Sequence, residues 1–531
     1  MQQYLDLLQE LLDKGEPSTD RTGVGTLRKV GHMMRFNLQE GFPLLTTKKM
    51  FIKGTVEELL WFLRGSTDVK ELQARGVNFW NSWVDELESI GHGYGKQFRN
   101  IESIVPVIPK LFKEEPLVCL RKSLPDPKFE TDTGRSKFRV GTVHKSKAHG
   151  DYVILEELPP TTKFPHARWN IGFTDTGTVR TVEYQAISGG LIKDPYARSV
   201  FGVGYYGAYD SSDPHYQKLV DAWRDMLRRC YYAKPGTYES YGGRGIHVAP
   251  EWHCFANFQV DAKGIPGWSL KLQYPQEYSL DKDVLWASNR YSKRTCCWAS
   301  YEEQCVNRSN TLYFTAVNPE GITETFQAIG QMCREKGLNL SAVHRCLRGK
   351  LRSHHGWRDF QYMEVPEGQV LRYRRIDQTR LALAELLHNP SSRRNIIALW
   401  NPQDMDRTTL PCCHGSVIQL LVVGGKLSLE VYQRSCDVFL GVPVNIASYA
   451  LLCHMFAQQA GLEVGDLVWV GGDVHLYKNH IEQATEQLSR KPMELPKLML
   501  HKAESLFDYK YDDVVFCNYH PQPSIKAEVA V

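Results

Sequence analysis

The stretch LPCCHGSVIQLLVVGGKLSLEVYQRSCDVFLGVPVNIASY, residues 410–449, decides how this chain folds. Its apolar runs Ser416–Val423 and Lys426–Tyr432 are typical of strands. The Gly424-Gly425 pair that separates them is a strong hairpin signal, because both residues tolerate the positive φ of a tight turn. This stretch therefore predicts an antiparallel hairpin.

Helical patterns lie on both sides of the hairpin and at the start of the chain. The run Ala447–Ala460 predicts an apolar helix that ends at Gly461, and Val56–Leu63 predicts a buried helix that carries two carboxylates. Met1–Leu12 is acidic and amphipathic at helical spacing, unlike a secretory leader. Strands and helices thus alternate at both ends of the chain.

The composition limits the class of protein. The 531 residues exceed one ordinary core, and 42% hydrophobic with 23% charged residues is typical of globular chains. A net charge of +4 says little about partners, so any nucleic-acid signal must be local. No apolar run approaches the roughly 18 residues of a membrane span. The 13 scattered cysteines indicate a reducing cytoplasm, the host's cytoplasm if a phage encodes the chain.

Cys413 is the first candidate for chemistry. It lies between a Pro-containing segment and a predicted strand, where its sulfur can face a cleft. It attacks only as a thiolate, so it needs a nearby positive charge, and Arg434 is the candidate source. Taken alone, a Cys-Cys-His sequence is more often a buried, inert thiol.

Other short motifs favour a reactive thiol at Cys413 instead, because they occur together and in one order. They are Asp20-Arg21-Thr22-Gly23, Glu58–Leu63, Tyr94-Gly95-Lys96-Gln97, Ser392-Arg393-Arg394, Leu399–Pro402, Gln433-Arg434-Ser435, Asn445–Tyr449 and Gly472–Tyr477. With the end Ile525–Val531, this series resembles the thymidylate synthase family. The resemblance covers nearly all of residues 1–100 and 375–531, and it implies an α+β fold with a large mixed sheet and helices.

The resemblance also implies an activity and a set of site residues. The family methylates dUMP to dTMP with 5,10-methylenetetrahydrofolate, as a homodimer. Cys413 would attack C6 of the uracil, and Glu58, next to Trp61 and so in an apolar setting, would relay protons with Tyr94 and His414. The resemblance also implies which residues bind the ligands. The nucleotide phosphate would be bound by Arg21, Arg434 and Ser435, and by Arg393 and Arg394 from the partner subunit. The uracil and sugar would be bound by Gln433, Asn445, His475 and Tyr477, and the folate by Trp80, Asp437 and Val531.

Two related activities stay open at this point. A dCMP hydroxymethylase would carry an acid where Asn445 stands, so dUMP is favoured. A dUMP hydroxymethylase would add water in place of hydride, and Trp80 opposes it only moderately. A synthase that is inactive, in a chain that serves as a DNA endonuclease, is the competing class.

About 270 residues separate the two synthase-like parts, and their ends do not resemble an intein. Within them, Trp223–Tyr231, Tyr241–Ile246 and Leu280–Arg308 resemble phage endonucleases of the HNH type. In that fold, a hairpin and a helix hold one divalent metal, with Asp281, Asp283 and Asn289 as the candidate residues here. Lys282 stands where the activating histidine is expected, so an active nuclease and a degenerate site are both open.

The region 317–363 resembles the modular DNA-binding unit that follows such nucleases. Glu324–Lys336 predicts one helix that stops at Gly337, and Ser341 is the expected N-cap of a second. Residues 344–358 hold five Arg or Lys, three His and no acid, so Arg345, Arg348, Lys350 and Arg352 are candidates for binding double-stranded DNA. A merely solvated basic face is the alternative.

The expected organisation has five parts, and no membrane partner. It comprises a synthase part (1–102), a leading insertion region without assigned chemistry (103–215), an HNH-like region (216–310), a small helix-turn-helix-like DNA-binding module (311–366) and the catalytic synthase part (373–531).

Overall fold

The structure is a computed structural model. It describes residues 1–20, 22–84, 89–107, 124–128, 138–147, 150–161, 165–234, 236–307, 313–365, 369–405 and 407–530. Arg21 and Val531 lie outside these residues, so their predicted roles have no structural counterpart here. Within the described ranges, no helix combines the length and apolar character needed to cross a bilayer.

The segment before the insertion forms mainly helices around one long strand. Its elements are α1 (Gln2–Lys14), β1 (Glu16–Ser18), β2 (Thr26–Asn37), α2 (Ile52–Arg64), α3 (Lys70–Gln73), α4 (Tyr94–Arg99) and β3 (Ile101–Val107). The predicted first helix and the predicted helix over Val56–Leu63 are both confirmed. Tyr94 begins helix α4, and its side chain is buried.

The insertion contains small sheets and short helices. Its elements are β4 (Val143–Lys145), β5 (Asp151–Leu158), β6 (Arg168–Phe173), β7 (Val179–Glu183), α5 (Tyr184–Gly189), α6 (Tyr216–Tyr231), α7 (Thr237–Ser240), β8 (His247–Val248), α8 (Phe255–Asp261), α9 (Trp268–Gln273), β9 (Tyr278–Asp281), α10 (Asp283–Trp286), β10 (Arg290–Tyr291), β11 (Cys297–Ser300), α11 (Tyr301–Val306), β12 (Phe314–Val317), β13 (Thr323–Phe326), α12 (Ile329–Glu335), α13 (Leu340–Leu347), β14 (Ser353–His354), β15 (Trp357–Tyr362) and β16 (Val370–Ile376).

The last segment supplies most of the main sheet. Its elements are α14 (Gln378–His388), β17 (Ile396–Ile397), β18 (Val417–Val423), β19 (Lys426–Asp437), α15 (Gly441–Ala460), β20 (Glu463–Tyr477), α16 (Ile481–Leu488), β21 (Lys497–Leu500) and β22 (Val514–Cys517). The predicted hairpin is confirmed: β18 pairs antiparallel with β19, and Gly424 and Gly425 both have positive φ, 58° and 77°. The predicted apolar helix also ends at Gly461, but it begins six residues earlier than expected.

The main sheet joins the two ends of the chain. Its strand order is β1-β2-β20-β19-β18-β17; β19 and β20 run parallel, and the other neighbours run antiparallel. β2, from the start of the chain, pairs with β20 over most of its length. One apolar core includes Leu8 and Trp61 from the first segment with Leu429 and Trp469 from the last. The two synthase-like segments therefore share one core.

The insertion leaves and re-enters the synthase through a ribbon. β3 and β16 pair antiparallel from Ile101 opposite Ile376 to Val107 opposite Val370. Because antiparallel partners lie only about 5 Å apart, the two break points are neighbours in space. The insertion thus occupies the position of a surface loop.

Within the insertion, apolar clusters form apart from the main core. One combines β5, β6 and β7 with α5. A second buries Trp223, Trp252, Phe255 and Trp298, and it uses the apolar side of helix α6. β9 and β11 pair antiparallel, with α10 and β10 between them in sequence, and α11 follows β11 directly.

The third apolar cluster of the insertion lies within residues 314–360. The secondary structure of this region differs in part from the one predicted. Thr323–Phe326 forms a strand paired with β12, so only Ile329–Glu335 of the predicted first helix is helical. Its sequence Thr-Glu-Thr-Phe contains two Thr and a buried Phe, residue types that are enriched in strands. Gly337 has φ 65° and ends the helical region as predicted, but Asn339, not Ser341, caps α13 through a bond from Ala342 N at 3.1 Å.

Candidate active site

Cys413 lies in the loop before β18, where both ends of the chain meet. Its backbone N donates to the hydroxyl of Tyr94 at 2.7 Å, although 319 positions separate the two residues. Its carbonyl accepts from Arg434 N at 2.9 Å, which ties the loop to β19. The thiol is partly exposed, whereas Cys412 beside it is 2% exposed. The loop therefore offers one sulfur of the pair to the cleft.

Arg434 is the cation next to that sulfur, as predicted. Its Nη2 lies 3.7 Å from Cys413 Sγ and donates to Pro411 O at 2.7 Å, and its Nε donates to Cys412 O at 3.0 Å. Burial nevertheless raises the pKa of the Cys413 thiol above its ordinary value, and the guanidinium opposes that rise only in part. Within this chain the thiol form is favoured.

Glu58 is a buried acid on α2. Burial raises its pKa to about 7, and a hydrogen bond from Trp80 Nε1 at 2.7 Å opposes the rise. The apolar setting predicted for Glu58 is confirmed, since its side chain is buried. The aromatic partner is Trp80 and not Trp61, whose Nε1 donates to Asp68 O. A carboxyl with such a pKa exchanges protons readily near neutral pH.

Tyr94 and His414 form a stacked pair between Glu58 and Cys413. Their ring centroids lie 4.5 Å apart, and Trp80 contacts Tyr94 edge-on at 5.5 Å. His414 Nδ1 lies 2.7 Å from the hydroxyl of Tyr449, and burial lowers the pKa of His414 to about 3. The imidazole is therefore neutral at working pH, so it orients neighbours without carrying charge.

Tyr449 is a site residue to which the sequence assigned no role. It lies one helical turn after Asn445 on α15, so the same helix presents both. A second unexpected contact joins His92 to Asp404, with Nδ1 and Oδ1 2.7 Å apart. It ties the loop before Tyr94 to the segment that precedes Cys413, and only the fold brings those two loops together.

Two successive hydrogen bonds, through the amide of Gln433 and the indole of Trp469, hold the side chain of Asn445. Its Oδ1 accepts from Gln433 Nε2 at 3.0 Å, and Gln433 Oε1 accepts from the indole of Trp469 at 2.9 Å. These bonds fix which way the Asn445 amide faces, and both amide side chains are buried. A fixed amide presents a donor and an acceptor to a planar ligand.

Several further predicted residues gather on β19 and β20. Ser435 lies opposite Asp473, and Asp437 opposite His475, in the parallel pairing. Asp437 Oδ1 accepts from the backbone N–H groups of Phe439 and Leu440 at 3.1 and 3.3 Å, just before α15. His475 is 6% exposed, and its ring lies 5.2 Å from that of Tyr477.

Two predicted arginines lie away from this cleft. Arg393 and Arg394 are exposed in the loop between α14 and β17.

The acids of the insertion are engaged locally. Asp281 Oδ1 accepts from the backbone N–H groups of Asp283 and Val284 at 2.6 and 2.8 Å. Lys282 Nζ donates to both carboxylate oxygens of Asp283 at 2.7 Å, and Lys282 is 3% exposed. Asn289 O accepts from His247 N. Among the residues that the structure describes, no group of three His, Cys, Asp or Glu is arranged to hold a metal ion.

The basic residues near α13 are exposed, but they do not form the basic helix that we expected. Only Arg345 lies on α13, whereas Arg348, Lys350 and Arg352 follow it in the turn before β14. Gly349, with φ 68°, ends the helix because a left-handed residue cannot continue it. The surface is thus a helix end and a turn.

Comparisons with known proteins agree with this arrangement. A family model described as thymidylate synthase matches residues 2–118 and 344–531, more than half of the chain. A model described as "DNA endonuclease I-HmuI-like, NUMOD-like domain" matches residues 315–359. A thymidylate synthase of Corynebacterium aurimucosum is 57% identical over 528 residues, which cover 99% of this chain and 97% of that protein, so the similarity runs through the insertion. The chain belongs to the thymidylate synthase family, and an insertion with a homing-endonuclease-like segment interrupts its synthase sequence.

Proposed function

We propose that this chain converts dUMP to dTMP with 5,10-methylenetetrahydrofolate, and that the sulfur of Cys413 attacks C6 of the uracil. The observation that carries the proposal is the bond between Cys413 N and the Tyr94 hydroxyl, with the Arg434 guanidinium 3.7 Å from the sulfur. It supports one cleft built from both synthase segments. The thiolate forms because the Arg434 guanidinium, 3.7 Å from the sulfur, offsets part of the effect of burial on the thiol pKa.

The nucleotide is held by groups of matching chemistry. Arg21, Arg434 and Ser435 bind the 5′-phosphate, and Arg393 and Arg394 reach the phosphate bound by the partner subunit. Asn445, oriented by Gln433, reads the uracil edge. His475 and Tyr477 bind the deoxyribose hydroxyl.

The folate fits the wall of the cleft that carries Trp80 and Asp437. A pterin needs an aromatic surface and a carboxylate, and the backbone N–H groups of Phe439 and Leu440 both donate to Oδ1 of Asp437. When bound, the folate supplies the methylene carbon and the hydride. Glu58, with its pKa of about 7, moves protons at the pyrimidine, and the neutral His414 and Tyr94 order the polar groups beside it.

The enzyme works as a homodimer in the cytoplasm. The main sheet exposes apolar side chains, with Val30 92% and Met33 59% exposed on β2, and such a surface is typical of an interface. Cys412, Cys413 and Cys436 are thiols outside any disulfide, and a reducing compartment keeps them so.

Two adjacent thiols give a matched experiment. Cys413→Ser lowers dTMP formation by about 10⁴-fold or more, because a hydroxyl is a far weaker nucleophile here. Cys412→Ser keeps the rate within about threefold, while its buried hydroxyl costs roughly 1–2 kcal/mol of stability. An active Cys413→Ser enzyme would contradict the mechanism.

Mass analysis of the product nucleotide separates the methylating reaction from its relative. dTMP is the expected product. Hydroxymethyl-dUMP would identify a dUMP hydroxymethylase, and absence of any dUMP-dependent product would favour a chain that acts mainly on DNA.

A second activity, binding of double-stranded DNA, is favoured by the exposed basic surface of Arg345, Arg348, Lys350 and Arg352. The family-model match over residues 315–359 supports it. Full-length protein titrated with a labelled duplex at several salt concentrations tests it. Affinity falls steeply with salt if phosphate contacts carry the binding; undetectable binding at low salt would refute it.

A further inference from the structure

The insertion contacts the synthase at a second place besides the ribbon of β3 and β16. Arg380, on α14 of the synthase, donates to both carboxylate oxygens of Glu277 in the insertion at 2.9 Å. Its guanidinium also lies 3.7 Å from the ring centroid of Tyr274. Ser269 Oγ, on α9, donates to Glu385 Oε1 at 2.6 Å. We call these residues, with Arg375 and Glu302 below, the seam.

The contacts of Arg380 have the geometry of a specific attachment. A bidentate bond with a carboxylate fixes the guanidinium plane, and the aromatic ring stacks against that plane. The Arg380 side chain is 24% exposed, although Glu277 is 51% exposed. The pair is therefore partly screened, and it acts together with its neighbours rather than alone.

Arg375, at the base of the ribbon, is held from both sides. Its Nη1 donates to Glu302 Oε2 of the insertion at 2.5 Å. Its Nε and Nη2 donate to Asn100 Oδ1 at 3.1 and 2.6 Å, and Asn100 directly follows α4. One guanidinium thus links the insertion to the end of that helix.

The start of helix α14 contacts the end of α4. Gln378 Nε2 donates to Gln97 O at 2.8 Å, and Thr379 Oγ1 donates to Phe98 O at 3.0 Å. Arg99 Nε donates to Asp377 Oδ2 at 2.8 Å. The far end of α4 is Tyr94, whose hydroxyl accepts from Cys413 N.

We propose that the insertion is docked on the synthase through the seam and that this docking positions α4, and with it Tyr94, against the Cys413 loop. The inference rests on the proposed function for the role of Tyr94. Arg375 and Arg380 are positioning residues: they touch no substrate. The insertion is therefore a structural part of the synthase site.

A charge swap tests the seam in the full-length enzyme. Arg380→Glu and Glu277→Arg each place like charges together, so kcat for dTMP formation falls about tenfold while KM for dUMP changes less than about twofold. The double variant restores the pair in reverse and returns kcat to within about threefold. Lys293→Glu is the control, because its pair with Asp261 lies inside the insertion and away from α14.

Hydrogen exchange gives a readout that does not depend on the reaction. Backbone amides of residues 95–99 exchange faster in each single variant, return toward the parent in the double variant, and stay unchanged in Lys293→Glu. Unchanged kcat in a variant with fast exchange over residues 268–277 would overturn the proposal. A loss of kcat that the double variant does not repair would overturn it too, even where a single variant folds poorly. If the parent enzyme formed no dTMP, the proposed function would be wrong. The hydrogen-exchange results for residues 95–99 would still show whether docking of the insertion orders α4.

Discussion

The synthase cleft and the acidic loop of the insertion provide different partners for their buried acids. In the cleft, Glu58 accepts a hydrogen bond from the Trp80 indole at 2.7 Å, and the Arg434 guanidinium lies 3.7 Å from the Cys413 sulfur. In the loop, Lys282 holds both oxygens of Asp283, and backbone N–H groups bind Asp281. Burial raises the pKa of Glu58 and of Asp281 alike, but at Asp281 two backbone N–H groups and the Lys282 ammonium oppose the rise. A buried carboxyl thus meets an aromatic donor in the cleft and backbone donors in the loop.

Among the variants that test this comparison, substitution of the cleft carboxyl has the largest expected effect. Glu58→Gln lowers kcat by about 10²–10³-fold, because the amide cannot exchange the proton that the carboxyl moves. Any kinetic pKa near 7 then disappears from the pH profile of kcat/KM. Glu57→Gln is the matched control: Glu57 is equally buried but faces Arg75 at 3.3 Å, so its loss leaves kcat within about threefold. Equal losses in both variants would remove the special role of Glu58.

The same substitution changes how stability depends on pH. The folded pKa of Glu58, about 7, exceeds its ordinary value of 4.5, so the folded state holds a proton that the unfolded state releases. Its contribution is therefore fully present below pH 4.5 and is lost as pH rises through about 7. The parent enzyme loses up to about 3 kcal/mol across that window relative to Glu58→Gln, as denaturant titrations at several pH values would measure. Parallel curves for the two proteins would contradict the shifted pKa.

A smaller effect tests the loop side. Asp283→Asn removes the carboxylate from the buried Lys282 ammonium, so the insertion loses about 2 kcal/mol of stability, less than for a fully buried pair because Asp283 is 35% exposed. Hydrogen exchange of residues 278–300 measures it, and dTMP formation is unchanged. If the variant kept its stability but lost a metal-dependent DNA cleavage, Asp283 would be a metal ligand. The comparison of this loop with the cleft would then be wrong.

The smallest effect concerns the basic surface of the insertion. Arg345→Ala reduces the slope of log affinity against log salt by about 1 and weakens duplex binding only several-fold at low salt. Arg334→Ala is the control, since it removes an exposed arginine from α12 of the same module. An identical change in slope for both variants would indicate a diffuse basic surface in place of a site at the end of α13.

Local signals predicted the parts of the fold that depend on neighbours in sequence. The Gly424-Gly425 turn and the amphipathic helix α1 needed no distant partner, and each was confirmed. The helix predicted over Glu324–Lys336 was wrong at residues 324–326, because they belong to a strand that pairs with β12, and that pairing outweighs a helical pattern.

The candidate site shows the same limit. Ordered motifs named Cys413, Tyr94 and Glu58, but they could not indicate that Trp80 binds Glu58 or that Tyr449 binds His414. Both partners belong to other elements, so their contacts follow from packing of α2 and α15. The roles assigned to Arg21 and Val531 stay predictions.

The ribbon of β3 and β16 has a consequence for how the chain reaches its native state. About 270 residues lie between Ile101 and Ile376, and closing so long a flexible loop costs roughly 5 kcal/mol of chain entropy. If the insertion folds first, its own core and the pairing of β3 with β16 bring Asn100 and Asp377 together before the two synthase segments meet. The effective contact order of the synthase then approaches that of a chain without the insertion. The refolding rate of the synthase therefore depends on how fast the insertion folds.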